Sequence, residues 1–464
     1  MFPGLTLAYW LTLHGLVTLT AVMVYVLTAH VLQQRRHPTA AIAWVLFILL
    51  VPYIALPTFL TFGSRKQARP RAQPLLTAAE PPSHTSWAIR TAQALGQPAP
   101  LDHRDLHIHP NGHAALNALW RVIGGATHTI DLCTFIVGPD AVGREVVARL
   151  AAKARAGVAV RLMVDGLGSL MGGRPDFTPL TDAGGVLAVF VPPLHSPLKG
   201  RTNLRDHRKM LITDAGHATQ RVWSGGRNLA AEYFEGDAKK AAWHDLSFDF
   251  SGALVQQFAA LFDHDWAFAT SRRAPAVGVA PAHAAVAGSA QLIASGPDQI
   301  DDTVYSLIIT AAYRAQHRIA IVTPYFVPDS ALLTALCLAA RRGVKVDVLL
   351  PARSNHRMSD VARSRALRTL AMAGAHIEFA PQMLHAKLVV IDKALALAGS
   401  ANIDSRSLFL NYELMVAFHD RDAIVGFEGW FEHERRGATP YVPVRPDLLR
   451  DLAEGLVLWL GFQL

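Results

Sequence analysis

The chain has 464 residues, which is long enough for two or three ordinary domains, so a shortage of hydrophobic core is excluded. Lys and Arg number 44 against 36 Asp and Glu, which gives a formal net charge of +8, and 51% of the residues are hydrophobic. This composition favours anionic partners, either phospholipid surfaces or nucleic acid. The two cysteines do not suggest a disulfide framework or a zinc site, by number or by spacing.

The hydrophobic excess is concentrated at the N-terminus. The segments Leu5–Leu32 and Ala40–Phe62 contain no Asp, Glu, Lys or Arg, and each exceeds the roughly 20 residues that span a bilayer as a helix. A secretory signal peptide would have a shorter apolar part and a basic start. We therefore predict a membrane anchor of two transmembrane helices in residues 1–63, the first of them uncleaved. Pro52 and Pro57 indicate that the second helix is kinked or partly re-entrant.

Basic residues flank these two segments unequally. The short connection carries two arginines, whereas the flank after the second segment carries four basic residues: Arg65, Lys66, Arg69 and Arg71. The positive-inside rule then predicts an inner-membrane, multi-pass protein with its large C-terminal portion on the cytoplasmic side.

Two stretches rich in Pro and Ala divide the rest of the chain. Residues 64–100 have the character of a linker after the anchor, and residues 271–290 have it again. They separate a first domain, 101–270, from a second domain, 291–464.

The two predicted domains resemble each other. "TIDLCTFIVGPD" at 129–140 matches "RIAIVTPYFVPD" at 318–329, and in each case a helical stretch follows, ends at a glycine and leads into a β-rich run. We expect a duplicated α/β unit in which each domain has a mixed β-sheet flanked by helices.

A polar pattern recurs at equivalent places in the two units. "HRKMLITD" at 207–214 and "HAKLVVID" at 385–392 share the form H-x-K-x-x-x-x-D. Each copy continues to a small-residue turn that ends in Asn228 or Asn402. An acidic position follows each turn near the start of a strand, Asp245 in the first copy and Glu413 in the second.

Strand geometry indicates what these residues could do. Residues two apart share a face, so each histidine lies beside its lysine and the pair suits an anionic phosphate group. Asp214 and Asp392 lie five positions beyond the lysines, face the other side and are better interpreted as structural anchors. In one copy alone the simplest interpretation is a charged strand end at the surface. The same pattern twice in register favours an active site.

Two histidines brought together permit a two-step phosphoryl transfer. One imidazole attacks phosphorus to form a phosphohistidine, while the other protonates the leaving alkoxide and then deprotonates the incoming alcohol. The lysines and asparagines would stabilise the charge on the non-bridging oxygens in place of a metal ion. Asp245 and Glu413 are the candidates to orient the imidazoles.

The chain resembles the phospholipase D superfamily, whose duplicated motif is H-x-K-x-x-x-x-D followed by Gly-Gly or Gly-Ser and Asn. It is similar, more narrowly, to bacterial cardiolipin synthases in its N-terminal segments and in "NLRDHRK", "SGGRNLAAEYF", "TPYFVPD", "LHAKLVVID" and "GSANIDSRSLFLNYE". The resemblance implies transfer of a phosphatidyl group between two phosphatidylglycerols, giving cardiolipin and glycerol, with no metal or other cofactor. It also implies anionic phospholipids and a membrane as partners, and no nucleic acid.

The resemblance carries site residues over to matching positions. It makes His207 the nucleophile and His385 the general acid and base, although their symmetry allows the exchange of these roles. The implied catalytic residues are those of the two motifs: His207, Lys209, Asp214, His385, Lys387 and Asp392. The implied phosphate-binding residues are Asn228 and Asn402, and the residues that orient the histidines are Asp245 and Glu413.

One departure from the family pattern concerns the first motif. Ten residues separate Asp214 from Gly225, where the family usually has about six, as between Asp392 and Gly399. We predict a longer hairpin turn around 215–220, so the direction of the Asn228 side chain is not fixed by the family pattern.

Other functions remain possible from the sequence. Water could replace the lipid alcohol, which would make the protein a phospholipase D. The basic charge also fits a nuclease or another phosphodiesterase, although the paired apolar segments argue against it, and a non-catalytic scaffold is a further alternative. The second lipid could be phosphatidylethanolamine instead of phosphatidylglycerol. The C-terminal stretch 445–464 indicates an amphipathic helix, which lies either on the membrane surface or against the core.

Overall fold

The computed structural model describes residues 7–31, 38–62, 86–173, 175–192, 203–236, 241–271, 288–299 and 301–460. The helices in this part of the chain are α1 (Leu7–Val31), α2 (Pro38–Leu50), α3 (Pro52–Phe62), α4 (Trp87–Ala94), α5 (Gly112–Gly125), α6 (Ala141–Arg155), α7 (Gly166–Met171), α8 (Thr178–Asp182), α9 (Val255–Ala269), α10 (Thr303–Arg314), α11 (Ser330–Arg341), α12 (Arg357–Met372), α13 (Ser405–Phe409), α14 (Arg421–Glu434) and α15 (Leu448–Leu460). The strands are β1 (Leu101–Asp102), β2 (Arg104–His109), β3 (Thr129–Thr134), β4 (Ala159–Asp165), β5 (Val186–Phe190), β6 (Arg205–Asp206), β7 (Met210–Thr213), β8 (Arg221–Gly225), β9 (Ser247–Ser251), β10 (Ser289–Ser295), β11 (Arg318–Val322), β12 (Phe326–Val327), β13 (Lys345–Pro351), β14 (His376–Ala380), β15 (Leu388–Ile391), β16 (Leu395–Gly399), β17 (Ile403–Asp404), β18 (Asn411–Phe418) and β19 (Thr439–Pro440).

Two large mixed sheets have the same strand order and directions. The first runs β2-β9-β8-β7-β3-β4-β5, and the matching strands of the second run β10-β18-β16-β15-β11-β13-β14. In both, the last three strands are parallel and the others pair antiparallel. The second sheet is extended by β1 beside β10 and by β19 beside β14. The prediction of a duplicated α/β fold with mixed sheets is confirmed.

Both motif strands are buried on their two faces. Met210 and Ile212 of β7 point into a central core between the halves, while Leu211 points into the outer core of the first half. In β15, Leu388 and Val390 likewise lie in the central core. This alternation explains why the residues between each motif lysine and aspartate are continuously apolar.

Two helices each contact both halves of the molecule through the central core. Helix α9 contacts β3, β5 and β7 of its own half and also β10 of the second half. Helix α14 contacts β15 and β16 of its own half and also β2 of the first half. Each helix therefore packs against both sheets, and the two halves share one hydrophobic core.

The N-terminal helices differ from the prediction in one respect. The second apolar segment forms two helices, because α2 ends at Leu50 and α3 begins at Pro52, whose ring cannot continue the hydrogen-bonding of the preceding turn. Helices α1, α2 and α3 pack on one another around Tyr25, Ile48 and Phe59. Among the helices in the described part of the chain, none is both long enough and apolar enough to cross a membrane.

The C-terminal helix α15 packs against α12. Glu454, which is buried, forms an ion pair with Arg368 of α12 at 2.5 Å. Leu448, Leu449 and Leu452 are exposed. The helix thus has one side on the protein and an apolar side directed outward.

Candidate active site

The two motif histidines lie where the halves of the molecule meet. Strand β6, just before His207, pairs in parallel with the start of β18 in the second half, and the backbone amide of His207 donates to Tyr412 O at 2.9 Å. The other half repeats this arrangement, because the amide of His385 donates to His244 O at 2.6 Å. Backbone hydrogen bonds across the interface therefore hold each histidine against the opposite half.

Each imidazole is bonded to a carboxylate from the opposite half. His207 Nδ1 lies 3.0 Å from Glu413 Oε1, and His385 Nδ1 lies 2.7 Å from Asp245 Oδ2. The sequence indicated both acids as partners without assigning either to one histidine, and the observed pairing is crossed. A carboxylate on Nδ1 fixes the tautomer and leaves Nε2 of each ring without a carboxylate partner, although Lys387 Nζ lies 3.0 Å from His385 Nε2.

Glu413 and Asp245 are placed by small residues of the turns before the asparagines. The hydroxyl of Ser400 donates to Glu413 Oε2 at 2.5 Å. At the matching position Gly226 leaves room for the other acid, since a Cβ there would lie 2.3 Å from Asp245 Oδ1. The preceding Gly399 is required too, because a Cβ on it would lie 2.2 Å from Leu414 O. These close approaches explain the Gly-Gly and Gly-Ser pairs.

The motif lysines are buried beside the histidines. Lys209 Nζ donates to His207 O at 2.8 Å, and Lys387 Nζ donates to His385 O and lies 3.0 Å from His385 Nε2. Burial lowers the pKa of Lys209 to about 8 and the pKa of Lys387 to about 7, although Glu413 and Asp245 oppose the shifts. Each lysine also lowers the pKa of the histidine beside it by repulsion.

The two histidines have different environments. Burial, followed by the charge of Lys387, lowers the pKa of His385 to about 3 despite the opposing charge of Asp245. Burial also lowers the pKa of His207, and attraction to Glu413 opposes this shift. The exposed fraction of the His207 side chain is 13% against 5% for His385. His385 is therefore the deeper imidazole, and it is neutral near pH 7.

The carboxylates are held in their charged form. Burial by itself would raise the pKa of Asp245, but Lys387 and His385 outweigh it and lower the pKa to about 2. Burial opposes ionisation of Glu413 as well, and His207 and Lys209 lower its pKa overall. The site thus carries two anionic carboxylates and two lysines with weakened charge.

The asparagines each contact one hydroxyl. Asn228 Nδ2 lies 2.8 Å from Tyr233 Oη, and Asn402 Nδ2 lies 3.1 Å from Ser407 Oγ. The Oδ1 atom of both amides is buried without a hydrogen-bond partner in the described part of the chain. Each amide therefore has one atom fixed by a hydroxyl and one left for another partner.

The longer turn after the first motif does not shift Asn228. Strands β7 and β8 pair Met210 with Ser224 and Thr213 with Arg221, which matches the pairing of β15 with β16. The additional residues lie beyond Thr213, in the turn, where Thr219 Oγ1 donates to Asp214 Oδ2 at 2.7 Å. The prediction that an enlarged turn absorbs the extra residues is confirmed.

The motif aspartates lie at the far ends of β7 and β15 from the histidines. Asp214 accepts hydrogen bonds from the amides of His128 and Thr129 at 2.6 and 2.9 Å. Burial would raise the pKa of Asp214, but these hydrogen bonds outweigh it and hold the pKa well below its ordinary value. Asp392 accepts from the amides of His317 and Arg318, both at 2.8 Å. Both aspartates are thus bonded to backbone amides at the strand ends opposite the histidines, as expected of structural anchors, and a catalytic role for them stays a prediction.

Arg208 is a buried charge that the sequence analysis overlooked. Its guanidinium donates to Asp265 at 2.5 Å and to Glu413 O at 3.1 Å, so it also supports the strand that carries Glu413. His264, Asp265 and Asp298 have potential metal-ligand atoms within 4.8 Å of one another. Arg208 Nη2 lies 3.5 Å from Asp298, so an arginine supplies the positive charge at this cluster.

Aromatic residues around the histidines were overlooked too. Phe135 contacts the ring of His207 with the centroids 5.1 Å apart, and Tyr233 and Trp243 contact His385 at 5.3 and 5.5 Å. A signal for Tyr233 was present, since it lies five residues after Asn228, as Ser407 lies after Asn402. Phe135 and Trp243 have no counterpart in the other repeat that could have revealed them.

Comparison with known proteins agrees with this geometry. The family model described as "Cardiolipin synthase, PLD-like domain" matches residues 119–266 and 308–435, which together are more than half of the chain. The chain belongs to this family. A second model, "Phospholipase_D-nuclease N-terminal", matches residues 21–64.

Curated members of the cardiolipin synthase family are similar over most of their length. Cardiolipin synthase A of Pseudomonas fluorescens (strain SBW25) is 32% identical over 434 residues, covering 88% of each chain. Cardiolipin synthase A of Escherichia coli O1:K1 / APEC is 32% identical over 445 residues, covering 89% of this chain and 88% of its own. The resemblance inferred from the motifs is confirmed.

A solved structure supports the fold of the family. The phosphatidylserine synthase of Haemophilus influenzae Rd KW20 superimposes with a TM-score of 0.63 at 12% identity, covering 81% of this chain and 100% of that chain. The common architecture is that of the two mixed sheets.

Proposed function

We propose that the protein is a cardiolipin synthase that transfers a phosphatidyl group from one phosphatidylglycerol to another. The observation that carries the proposal is the crossed pair of histidine–carboxylate contacts, His207 with Glu413 and His385 with Asp245. Two oriented imidazoles in one buried site suit a double displacement at phosphorus. The proposed domains 101–270 and 291–464 each supply half of the site.

In the first step, Nε2 of one histidine attacks the phosphorus of the donor lipid. A P–N bond forms, the P–O bond to the terminal glycerol breaks, and the other histidine gives its proton to the departing oxygen. In the second step, the same histidine takes the proton from the hydroxyl of a second phosphatidylglycerol, whose oxygen attacks phosphorus. The P–N bond breaks, cardiolipin leaves, and both imidazoles return to their starting state.

The environments of the two histidines favour roles opposite to those that the resemblance implied. Attack requires a neutral imidazole, and His385, with its pKa lowered to about 3, is neutral near pH 7. Protonation of the leaving group requires an imidazole that the departing oxygen can reach, and the side chain of His207 is the more exposed of the two, 13% against 5% for His385. We therefore assign His385 as the nucleophile and His207 as the general acid and base.

The other polar groups of the site interact with the phosphate of the substrate. Lys209 and Lys387 stabilise the negative charge that grows on the non-bridging oxygens, which favours the transition state. When the amides of Asn228 and Asn402 are rotated by 180°, the hydroxyls donate to Oδ1 and the amino groups are free to donate to phosphate. Asp214 and Asp392 anchor their strands and take no part in the reaction.

The N-terminal helices suit a membrane anchor. Apolar side chains on their outer surface are exposed, among them Leu16 at 63%, Leu19 at 68% and Leu50 at 75%. The segments are free of charged residues, and contiguous exposed apolar surface of this kind marks a membrane or protein contact. We propose that residues 1–63 insert into the inner membrane as two passes, with the catalytic domains on the cytoplasmic side. Reporter fusions at residues 34 and 70 test this orientation, and a periplasmic signal at residue 70 would contradict it.

The activity is tested with purified full-length protein in mixed micelles of labelled phosphatidylglycerol. We expect cardiolipin and glycerol in equal amounts, and we expect His207→Ala and His385→Ala each to lower the rate by roughly a hundredfold to ten-thousandfold. Phosphatidic acid as the main product would indicate hydrolysis instead. Phosphatidylethanolamine added to the micelles tests the other acceptor lipid.

A separate assay is needed to show which histidine attacks phosphorus and which one transfers the proton. A phosphatidyl ester of nitrophenol releases nitrophenolate, a leaving group that needs no protonation. The release of nitrophenolate therefore reports the attack of a histidine on phosphorus alone. We expect His207→Ala to release one equivalent in a burst and to retain the phosphatidyl group on His385, whereas His385→Ala shows no burst. A burst from His385→Ala with label on His207 would reverse the assignment.

A further inference from the structure

Two arginines flank the His207 side of the site without a role in the mechanism so far. Arg205 lies two residues before His207, in the segment that pairs with β18. Residues two apart in an extended segment share a face, so Arg205 and His207 are directed to the same side. Arg406 lies in α13, which begins three residues after Asn402. Both arginines thus adjoin residues of the active site.

Among the residues that the structure describes, neither guanidinium forms a direct ion pair, although the charge of Asp165 attracts both. In the described part of the chain, Arg406 donates to the side chain and backbone of Asn203, both at 3.3 Å, and Arg205 Nη1 donates to Leu204 O at 2.5 Å. Arg205 Nε is buried and has no hydrogen-bond partner there. Donors of this kind are available to an anion.

The two arginines are near each other and near the general acid and base. Burial lowers the pKa of Arg406, and repulsion by Arg205 lowers it further, so the cations interact. Attraction by Asp404, by Asp165 and then by Glu413, the partner of His207, opposes this fall in the pKa. The nearby carboxylates of Asp165 and Asp404 are engaged in capping the helices α7 and α13. A second anion at this place would relieve the repulsion between the arginines.

The His385 side of the site has no arginine at the two corresponding positions. In the alignment of the two motifs, Arg205 corresponds to Met383 and Arg406 corresponds to Glu232. The His207 side therefore carries an arginine pair, whereas the His385 side has a buried arginine, Arg227, which donates to Tyr233 O and whose charge acts on Asp245. The lysines and asparagines are common to both sides. The pair of Arg205 and Arg406 is therefore a feature of the His207 side.

The proposed reaction requires two phosphates at once. The donor phosphate is attacked between the lysines, while the acceptor lipid carries a phosphodiester of its own, three carbons away from the hydroxyl that reacts. That hydroxyl must meet the general base, His207, so the acceptor phosphate must lie just beyond it. Water or a neutral alcohol would bring no such charge.

We propose that Arg205 and Arg406 bind the phosphodiester of the acceptor phospholipid and so select an anionic lipid alcohol over water. This inference rests on the proposed function and adds a separate subsite to it. Planar guanidinium groups suit a phosphodiester because they can donate two parallel hydrogen bonds.

The test compares two acceptors that use the same donor. Phosphatidylglycerol in mixed micelles gives cardiolipin, and labelled glycerol, which has no charge, gives labelled phosphatidylglycerol by exchange. We expect Arg406→Gln and Arg205→Gln to lower the ratio of cardiolipin formation to glycerol exchange by roughly tenfold or more. Arg406→Lys, which keeps a charge without the planar fork, should lie between. Arg121→Gln, an exposed arginine of α5, is the charge-matched control and should leave the ratio unchanged.

The outcomes separate this inference from the proposed function. An equal fall in both reactions in the arginine variants, with wild-type cardiolipin synthesis intact, would show that the arginines serve the donor or the fold and would overturn the inference alone. A wild-type protein that makes phosphatidic acid and no cardiolipin would overturn the proposed function as well. Because the ratio is measured within one preparation, partial misfolding of a variant does not alter it.

Discussion

The buried charge of Lys387 should make the active site a source of instability. Its pKa falls from the ordinary 10.5 to about 7 because burial disfavours the ammonium group. At pH 7 this difference corresponds to a cost on the order of 4 kcal/mol in the free energy of unfolding. Lys387→Met keeps the aliphatic stem and removes the charge. The lost hydrogen bond to His385 O offsets about 1 kcal/mol, so the variant should be more stable by roughly 3 kcal/mol and inactive.

The pH dependence distinguishes this cause from better packing. The folded-state pKa is lowered, so the unfolded chain binds more protons between about pH 7 and 10.5, and the wild-type protein gains stability as pH rises through this window. The advantage of Lys387→Met should be greatest below about pH 7, where the penalty is fully present, and should shrink by about 1.4 kcal/mol per pH unit above pH 8.

Urea unfolding of the full-length protein in detergent, followed by tryptophan fluorescence at several pH values, measures this difference. Lys393→Met, at an exposed lysine in the turn between β15 and β16, is the control and should change stability little at any pH. A variant that is no more stable than wild type at pH 7, or a difference that stays constant to pH 9.5, would refute the reasoning.

Three further predictions concern the site. The motif lysines have pKa values of about 8 and about 7, so the KM for phosphatidylglycerol should rise between pH 7 and 9 as their charge is lost; a constant KM in a pH series would contradict this. Asp214→Asn removes the charge that accepts the amides before β3, and chemical denaturation should show a loss of about 2–4 kcal/mol, while activity per folded molecule stays within roughly twofold; Asp182→Asn, at an exposed position, is the control. Tyr233→Phe removes the hydroxyl at 2.8 Å from Asn228, and kcat should fall by roughly fivefold; Ser407→Ala should have a similar effect, and unchanged kcat in both would show that the hydroxyls do not position the amides.

Much of the fold follows from local patterns. The continuous apolar runs of β7 and β15 and the glycine that follows each helix are encoded in neighbouring residues, so a duplicated α/β unit could be predicted. The break between α2 and α3 was only partly foreseen. Pro52 signals an interruption, but whether the chain bends or starts a new helix depends on the packing of Ile48 and Phe59 against α1.

The crossed pairing of the site residues could not be predicted in the same way. His385 and Asp245 are 140 positions apart, and His207 and Glu413 are 206 positions apart. Their contact depends on how the halves pack through the central core, and no local pattern records that arrangement. Arg208 illustrates the same limit, because its neighbours in the sequence suggest a surface residue. Its partner Asp265 comes from α9, a helix that packs against both sheets.

The duplication itself cannot assign an order to the two histidines, because symmetric halves would offer equivalent imidazoles. The order follows from positions where the halves differ. Arg208 corresponds to Ala386 in the second motif, so ion pairs of Arg208 with Asp265 and Asp298 support the strand that holds Glu413. Near Asp245 the buried arginine is instead Arg227, which donates to Ser247. Arg205 and Arg406 add positive charge beside His207, and the corresponding residues beside His385 are Met383 and Glu232. In the proposed reaction the lipid acceptor is deprotonated where its own phosphate is held, so these substitutions favour the proposal that His207 performs acid-base chemistry and His385 attacks phosphorus.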